Sequence, residues 1–212
     1  MADDKFDAER FGRRALWLKH LHRWHWISSA LCLTGLLFFA FTGITLNHAA
    51  QIDAKPRTDR YVGLLPQALV AMLGEGPRHG YAPLPTALRD WLSAQWAVRM
   101  GARPAEWSAD EIYLSLPRPG GDAWLSIDRS NGAVEYELTD RGWIAYLNDL
   151  HKGRNTGPVW RWFIDLFALV CLISSVSGLL LLRLHAAQRI ATWPTVGLGF
   201  VVPLLLALLF IH

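Results

Sequence analysis

The stretch that decides the fold is LWLKHLHRWHWISSALCLTGLLFFAFTGITLNH, residues 16–48. From Trp26 to Leu46 it carries no charge, and Asn47-His48 closes the run. About 21 such residues, rising 1.5 Å each, are enough for a helix to cross a hydrocarbon core of about 30 Å. Histidines stand at both ends of it: His20, His22 and His25 before the apolar run, His48 after it. A continuous helix from His25 to His48 would rise about 34 Å, so the two would lie near opposite faces of a bilayer.

Two more apolar runs follow, at 159–185 and 195–212; the last is short and contains Pro203. The first run is too long for the apolar region of a signal peptide, and no small-x-small cleavage site follows it, so it reads as a retained span. The chain is 52% hydrophobic with eleven tryptophans, which suits a membrane protein with a modest water-soluble part and excludes a disordered chain. A net charge of +3, with no basic run interleaved with aromatics outside the membrane flanks, gives no support for nucleic-acid binding. Cys32 and Cys171 sit inside apolar runs at no metal or redox spacing.

Arg10, Arg13, Arg14, Lys19 and Arg23 gather before the first span, which by the positive-inside rule places the N-terminus in the cytoplasm. The expected map is a poorly ordered cytoplasmic tail at 1–15, transmembrane helix 1 with its basic flank at 16–48, and an extracytoplasmic domain at 49–158. Transmembrane helix 2 at 159–185, a cytoplasmic loop at 186–194 and helix 3 at 195–212 complete it. The fold class is thus a three-helix membrane protein with a small α+β domain inserted between helices 1 and 2. Within that domain, Leu64–Leu73 is an apolar patch suited to a short helix, and Pro85 opens a helix to Trp96. Period-2 alternation at Ile112-Leu114-Leu116, Ala123-Leu125-Ile127 and Val134-Tyr136-Leu138 marks three strands, the last two joined by a Ser130-Asn131-Gly132 turn. An amphipathic helix, Trp143–Leu150, leads to His151.

His151 precedes span two and His185 follows it. On this topology His48 and His151 share the outer interface, and His25 and His185 the inner one. Interfacial histidines commonly act only as anchors, and for His20 and His22 that is the favoured role. Two pairs on matching faces are more than anchoring requires, and bis-histidine ligation of haem b accounts for them. His22, one helical turn from His25, is the alternative inner ligand, and His212 an outside spare. Arg23, Arg154 and Arg183 stand where propionates would reach.

The WHWISS run, Thr42-Gly43 with LNH following, LHKGRNTGPVWRWFIDL before span two and Ser177-Gly178 through His185 together resemble the PepSY-associated transmembrane proteins. The Asp128-Arg-Ser-Asn-Gly-Ala-Val turn is similar to that of a PepSY module. The resemblance implies a bacterial inner-membrane protein of a family that includes haem b reductases of ferric siderophores. Larger members carry an extra span and a second outer module, so a homodimer or partner subunit would supply the missing helix. The expected activity is haem b electron transfer, with one or two haems, from a cytoplasmic quinol or flavoprotein to a periplasmic acceptor such as a ferric chelate. The competing reading is a membrane-tethered PepSY module that binds a periplasmic protein or peptide without catalysis.

Overall fold

A computed structural model describes residues 2–52, 55–186 and 189–211, with side chains from residue 12 onward. The spare ligand His212 lies outside the described residues. Helix α1 (Ala2–Asn47) is followed by β1 (Arg57–Leu64), α2 (Gln67–Gly74), β2 (Gly80–Pro83), α3 (Thr86–Trp96) and β3 (Pro104–Trp107). Then come β4 (Glu111–Ser115), β5 (Gly121–Asp128), β6 (Ala133–Asp140), α4 (Gly142–Lys152), α5 (Gly157–His185) and α6 (Thr192–Phe210). Three helical segments, Gly12–Asn47, Gly157–His185 and Thr192–Phe210, are long and apolar enough to cross a membrane.

The chain divides into two compact units. The first comprises Met1–Leu37 with Ile164–His212, and the second Phe38–Phe163. In the first unit most large apolar side chains of the helices are exposed, among them Leu33, Leu169 and Leu206. Such surfaces suit lipid, where helices associate through small and polar residues instead of through burial from water. The residues that are buried fit this: Ser28, Cys32 and Ser177. Helix α1 begins at Ala2, so the tail expected to be poorly ordered is helical. Before Gly12 it contains neither Pro nor Gly, and its acidic residues near the start suit a helix N-terminus.

The second unit holds a six-stranded antiparallel sheet of order β1-β6-β5-β4-β3-β2. The strands expected from alternation are β4, β5 and β6. Their inward residues Ile112, Leu114, Leu125, Ile127 and Val134 are at most 1% exposed and pack with Leu73, Leu88 and Leu92 from α2 and α3. The turn after β5 is held by Asp128, whose Oδ1 accepts from the Ser130 N–H at 2.8 Å and its hydroxyl at 2.6 Å. These donors hold the Asp128 carboxyl below the usual carboxylate range, the Ser130 hydroxyl being the largest cause. Gly132 takes φ +72°, which the turn needs. Arg129 ties the sheet to the end of α2, donating to the carbonyls of Leu73, Pro77 and Ser108.

Strands β1, β2 and β3 were not expected from the sequence. β1 is an edge strand with a mostly exposed, polar pattern, and β2 and β3 are four residues each and carry Pro83 and Pro104. β1 and β2 are the edges of the sheet, and Pro104 lies in the part of β3 that pairs with β2 alone, positions where a strand tolerates such residues.

Candidate functional site

In the helical unit, α1 and α5 meet through small residues. A Cβ on Gly35 would run into the Phe167 ring, and the Ser29 and Ser174 hydroxyls are 2.8 Å apart. His25 is half-buried. Its Nδ1 lies 3.0 Å from Ser177 Oγ and 3.2 Å from the Ser174 carbonyl. The Ser177 hydroxyl gives its own proton to the Ile173 carbonyl at 2.6 Å, so its oxygen accepts from His25. Those partners assign the His25 proton to Nδ1. A Cβ at Gly178 would come 3.0 Å from His25 Cε1, so the glycine gives the ring its seat on α5.

His22 and His185 are exposed and edge-on to each other, with ring centroids 5.6 Å apart. Each donates Nδ1–H to the carbonyl four residues earlier, His22 to Leu18 and His185 to Leu181, both at 2.9 Å. On the same unit an apolar groove of about 450 Å³ is lined by Trp17, His20 and Trp24 of α1 and by Ile173, Ser177 and Leu180 of α5.

The second unit repeats the pattern with different partners. His151, near the end of α4, has Nδ1 2.7 Å from Thr42 Oγ1. Thr42 is fully buried and directs its hydroxyl proton to the carbonyls of Phe38 and Phe39 at 3.0 and 3.2 Å, leaving its oxygen to accept from His151. The ring packs on Phe39, with centroids 5.1 Å apart. Thr45 donates to Asn148 at 2.9 Å. Asp149, 9% exposed, accepts the Gly120 N–H at 2.9 Å and so fastens α4 to the turn before β5. Gly153, in the left-handed region, ends α4 just past the histidine. His48 is exposed, with Nδ1 3.0 Å from the Ile44 carbonyl.

His25, His48, His151 and His185, together with His22, therefore share one feature. Nδ1 is occupied by an oxygen acceptor, so the proton is held there and Nε2 keeps its lone pair. That is the tautomer a metal-ligating imidazole needs, with the orienting contact already made. His20 has no such partner among the described residues.

Of the expected pairs, the structure brings His185 against His22, while His25 sits against Ser174, Ser177 and Gly178. His48 and His151 make no hydrogen bond or ring contact with each other among the described residues. His48 follows Thr42 by six residues, about 240° round α1, so it leaves a different side of the helix. Arg23, Arg154 and Arg183 are exposed, and their guanidinium groups form no ion pair or hydrogen bond among the described residues. Sequence reading missed Thr42, Ser174 and Ser177 as orienting groups. Their signal was present as small polar residues within apolar runs that carry no charge.

The His22 and His185 rings are in direct edge contact at 5.6 Å and would have to part slightly to hold a metal between them. The tautomers suit haem ligation through Nε2, whereas the apolar groove is lined by none of His22, His25 and His185. No group of three or more His, Cys, Asp or Glu able to hold a bare metal ion occurs among the described residues.

A family model for PepSY_TM-like proteins matches residues 16–212. The chain belongs to the PepSY_TM-like family. The match runs from the basic flank of α1 through the sheet and α6, so it covers both units of the fold. No curated protein and no solved structure matches the chain. Membership of the PepSY_TM-like family agrees with three apolar helices and a small sheet in one membrane protein.

Proposed function

We propose that this protein is an inner-membrane haem b electron-transfer protein that passes electrons from a cytoplasmic or quinol donor to a periplasmic acceptor such as a ferric chelate. The observation that carries the reading is the shared state of its histidines: Nδ1 tied to an oxygen, Nε2 free to bind. Three of these contacts run to the carbonyl four residues back in the same helix, as any helical histidine can make, so the weight falls on His25 and His151, each held by a side chain of another helix. Bound haem would supply one-electron exchange at its iron.

The chain's own residues do the rest. His151 is the outer ligand that the fold orients, while His48, the partner expected for it, leaves a different side of α1 and would have to turn to share its haem. Thr42 fixes the His151 tautomer, and Asp149 fixes the helix that carries it. At the inner site His185 is one ligand. His22 is its neighbour in the observed conformation, and His25 is the deeper alternative, oriented by Ser174 and Ser177. Arg154 outside, and Arg23 and Arg183 inside, are the free cations for propionates. The basic flank sets the N-terminus in the cytoplasm and residues 49–158 in the periplasm. A second copy or a partner subunit would cover the apolar helix faces that remain exposed.

The test is a reduced-minus-oxidised spectrum of the purified protein. A b-type Soret and α-band are expected. A protein without them would instead be a membrane-tethered binding module, with the histidines as anchors.

A further inference from the structure

The face of the sheet that carries Tyr136 holds a cleft that the histidine reading does not use. It encloses about 450 Å³, within the range of small-molecule sites. Its floor is made of three rings. Tyr61 and Tyr136 are directly opposed on β1 and β6 and stack with centroids 5.8 Å apart. Trp96 lies nearly parallel to Tyr136, at 6.4 Å and 14°.

Local structure accounts for this shelf. Trp96 is the last residue of α3, which Ala97 stops by entering the left-handed region at φ 54°. The indole fits because β1 has a glycine beneath it: a Cβ on Gly63 would come 3.0 Å from Trp96 Cζ2. After the stop, Val98 and Met100 turn inward and are 4% exposed, so the alternating Arg99 is left outside.

Arg99, Arg103 and Arg118 line the cleft, and no carboxylate does. Arg118 is partly neutralised by Asp140 at 3.2 Å. Arg99 and Arg103 make no ion pair or side-chain hydrogen bond among the described residues. Tyr136 is only 7% exposed, yet its hydroxyl has no hydrogen-bond partner among the described residues. Burial pushes that hydroxyl's pKa up against the opposing pull of Arg118, so it stays a phenol able to donate. Aromatic side chains lining one cleft with two unpartnered guanidiniums offer ring contact, chiefly at the more exposed Tyr61, and paired donors for an acidic group.

We infer that this cleft binds a small planar aromatic carboxylate of the hydroxybenzoate class, its ring against Tyr61 and Trp96 and its carboxylate against Arg99 and Arg103. The inference stands or falls independently of haem binding, because its residues and its assay involve none of the histidines.

The test uses the full chain in lipid nanodiscs, with 2,3-dihydroxybenzoate as probe and calorimetry as readout. Saturable one-to-one binding is expected, at least tenfold tighter than to the neutral 2,3-dihydroxybenzamide. Arg99→Gln with Arg103→Gln should weaken it at least tenfold. Trp96→Ala should weaken it too, while Trp96→Phe retains most of the affinity. Arg60→Gln, on the opposite face of β1, is the control and should bind as the unaltered protein does. Absence of saturable binding, equal affinity for the amide, or unchanged binding in the double arginine variant would overturn the inference. So would inorganic phosphate displacing the probe with equal affinity, since charge alone would then suffice.

Discussion

Thr42→Val is the most informative single change, because it removes one acceptor while leaving a side chain of the same shape. Thr42 is fully buried and its oxygen lies 2.7 Å from His151 Nδ1. Valine fills the same space, but His151 then has an Nδ1–H facing methyl groups in a half-buried position. Leaving a buried donor without a partner costs about 1–3 kcal/mol. The imidazole can recover that by turning away or by moving its proton to Nε2, and either change spoils Nε2 as a ligand. Loss of an orienting partner of this kind typically lowers metal-site affinity by about 10–100-fold. The assay is haem titration into depleted protein, followed by the Soret band, beside the unaltered chain and Thr42→Ser. Thr42→Ser keeps the acceptor and should titrate close to the original. Should Thr42→Val bind haem with unchanged affinity and an unchanged spectrum, the orienting role of Thr42 would be refuted.

Other changes test the scaffold. Asp149→Ala strands the Gly120 N–H and should cost about 1.5–3 kcal/mol in urea unfolding. Gly120→Ala should also destabilise, since φ is +71° and the new Cβ would sit 2.7 Å from the Tyr146 backbone. Because the folded pKa of Asp128 is depressed, its contribution is fully present above the ordinary carboxylate value of 3.8 and is lost as pH falls below that through the folded value. Unfolding midpoints of Asp128→Asn should therefore change less between pH 6 and pH 2.5 than those of the original chain. Topology reporters fused at Gly120 and after the C-terminus should both report an external location, and a cytoplasmic signal at the C-terminus would mean that α6 does not span.

How much of this the sequence discloses depends on the range of the interactions involved. The spans are legible because a charge-free run of sufficient length has few other uses. Strands β4 to β6 are legible because one face is buried, so Ile112, Leu114, Leu125 and Ile127 must alternate with polar neighbours. β1 is different. RTDRYVGL shows little alternation because an edge strand buries little, and its pairing with Ala133–Asp140 comes from residues distant in sequence. The histidines are visible as residue types, and the flanks in which they lie follow from the spans. Their orientation is not visible. Nothing local to WHWISS reveals that His25 meets Ser177 or that His22 meets His185, since both contacts depend on how α1 and α5 pack. The shelf of Tyr61, Trp96 and Tyr136 was hidden for the same reason: three segments supply it, and one of them is the unexpected β1.

Haem ligation by these histidines is decided by counting haem per chain. Pyridine haemochrome absorbance against quantitative amino-acid analysis gives the number for the original protein and for His151→Ala and His185→Ala. Two haem b per chain, falling to one in either variant, is the result expected from histidine ligation at two sites. A haem-free original protein, or a haem content unchanged in both variants, would contradict it.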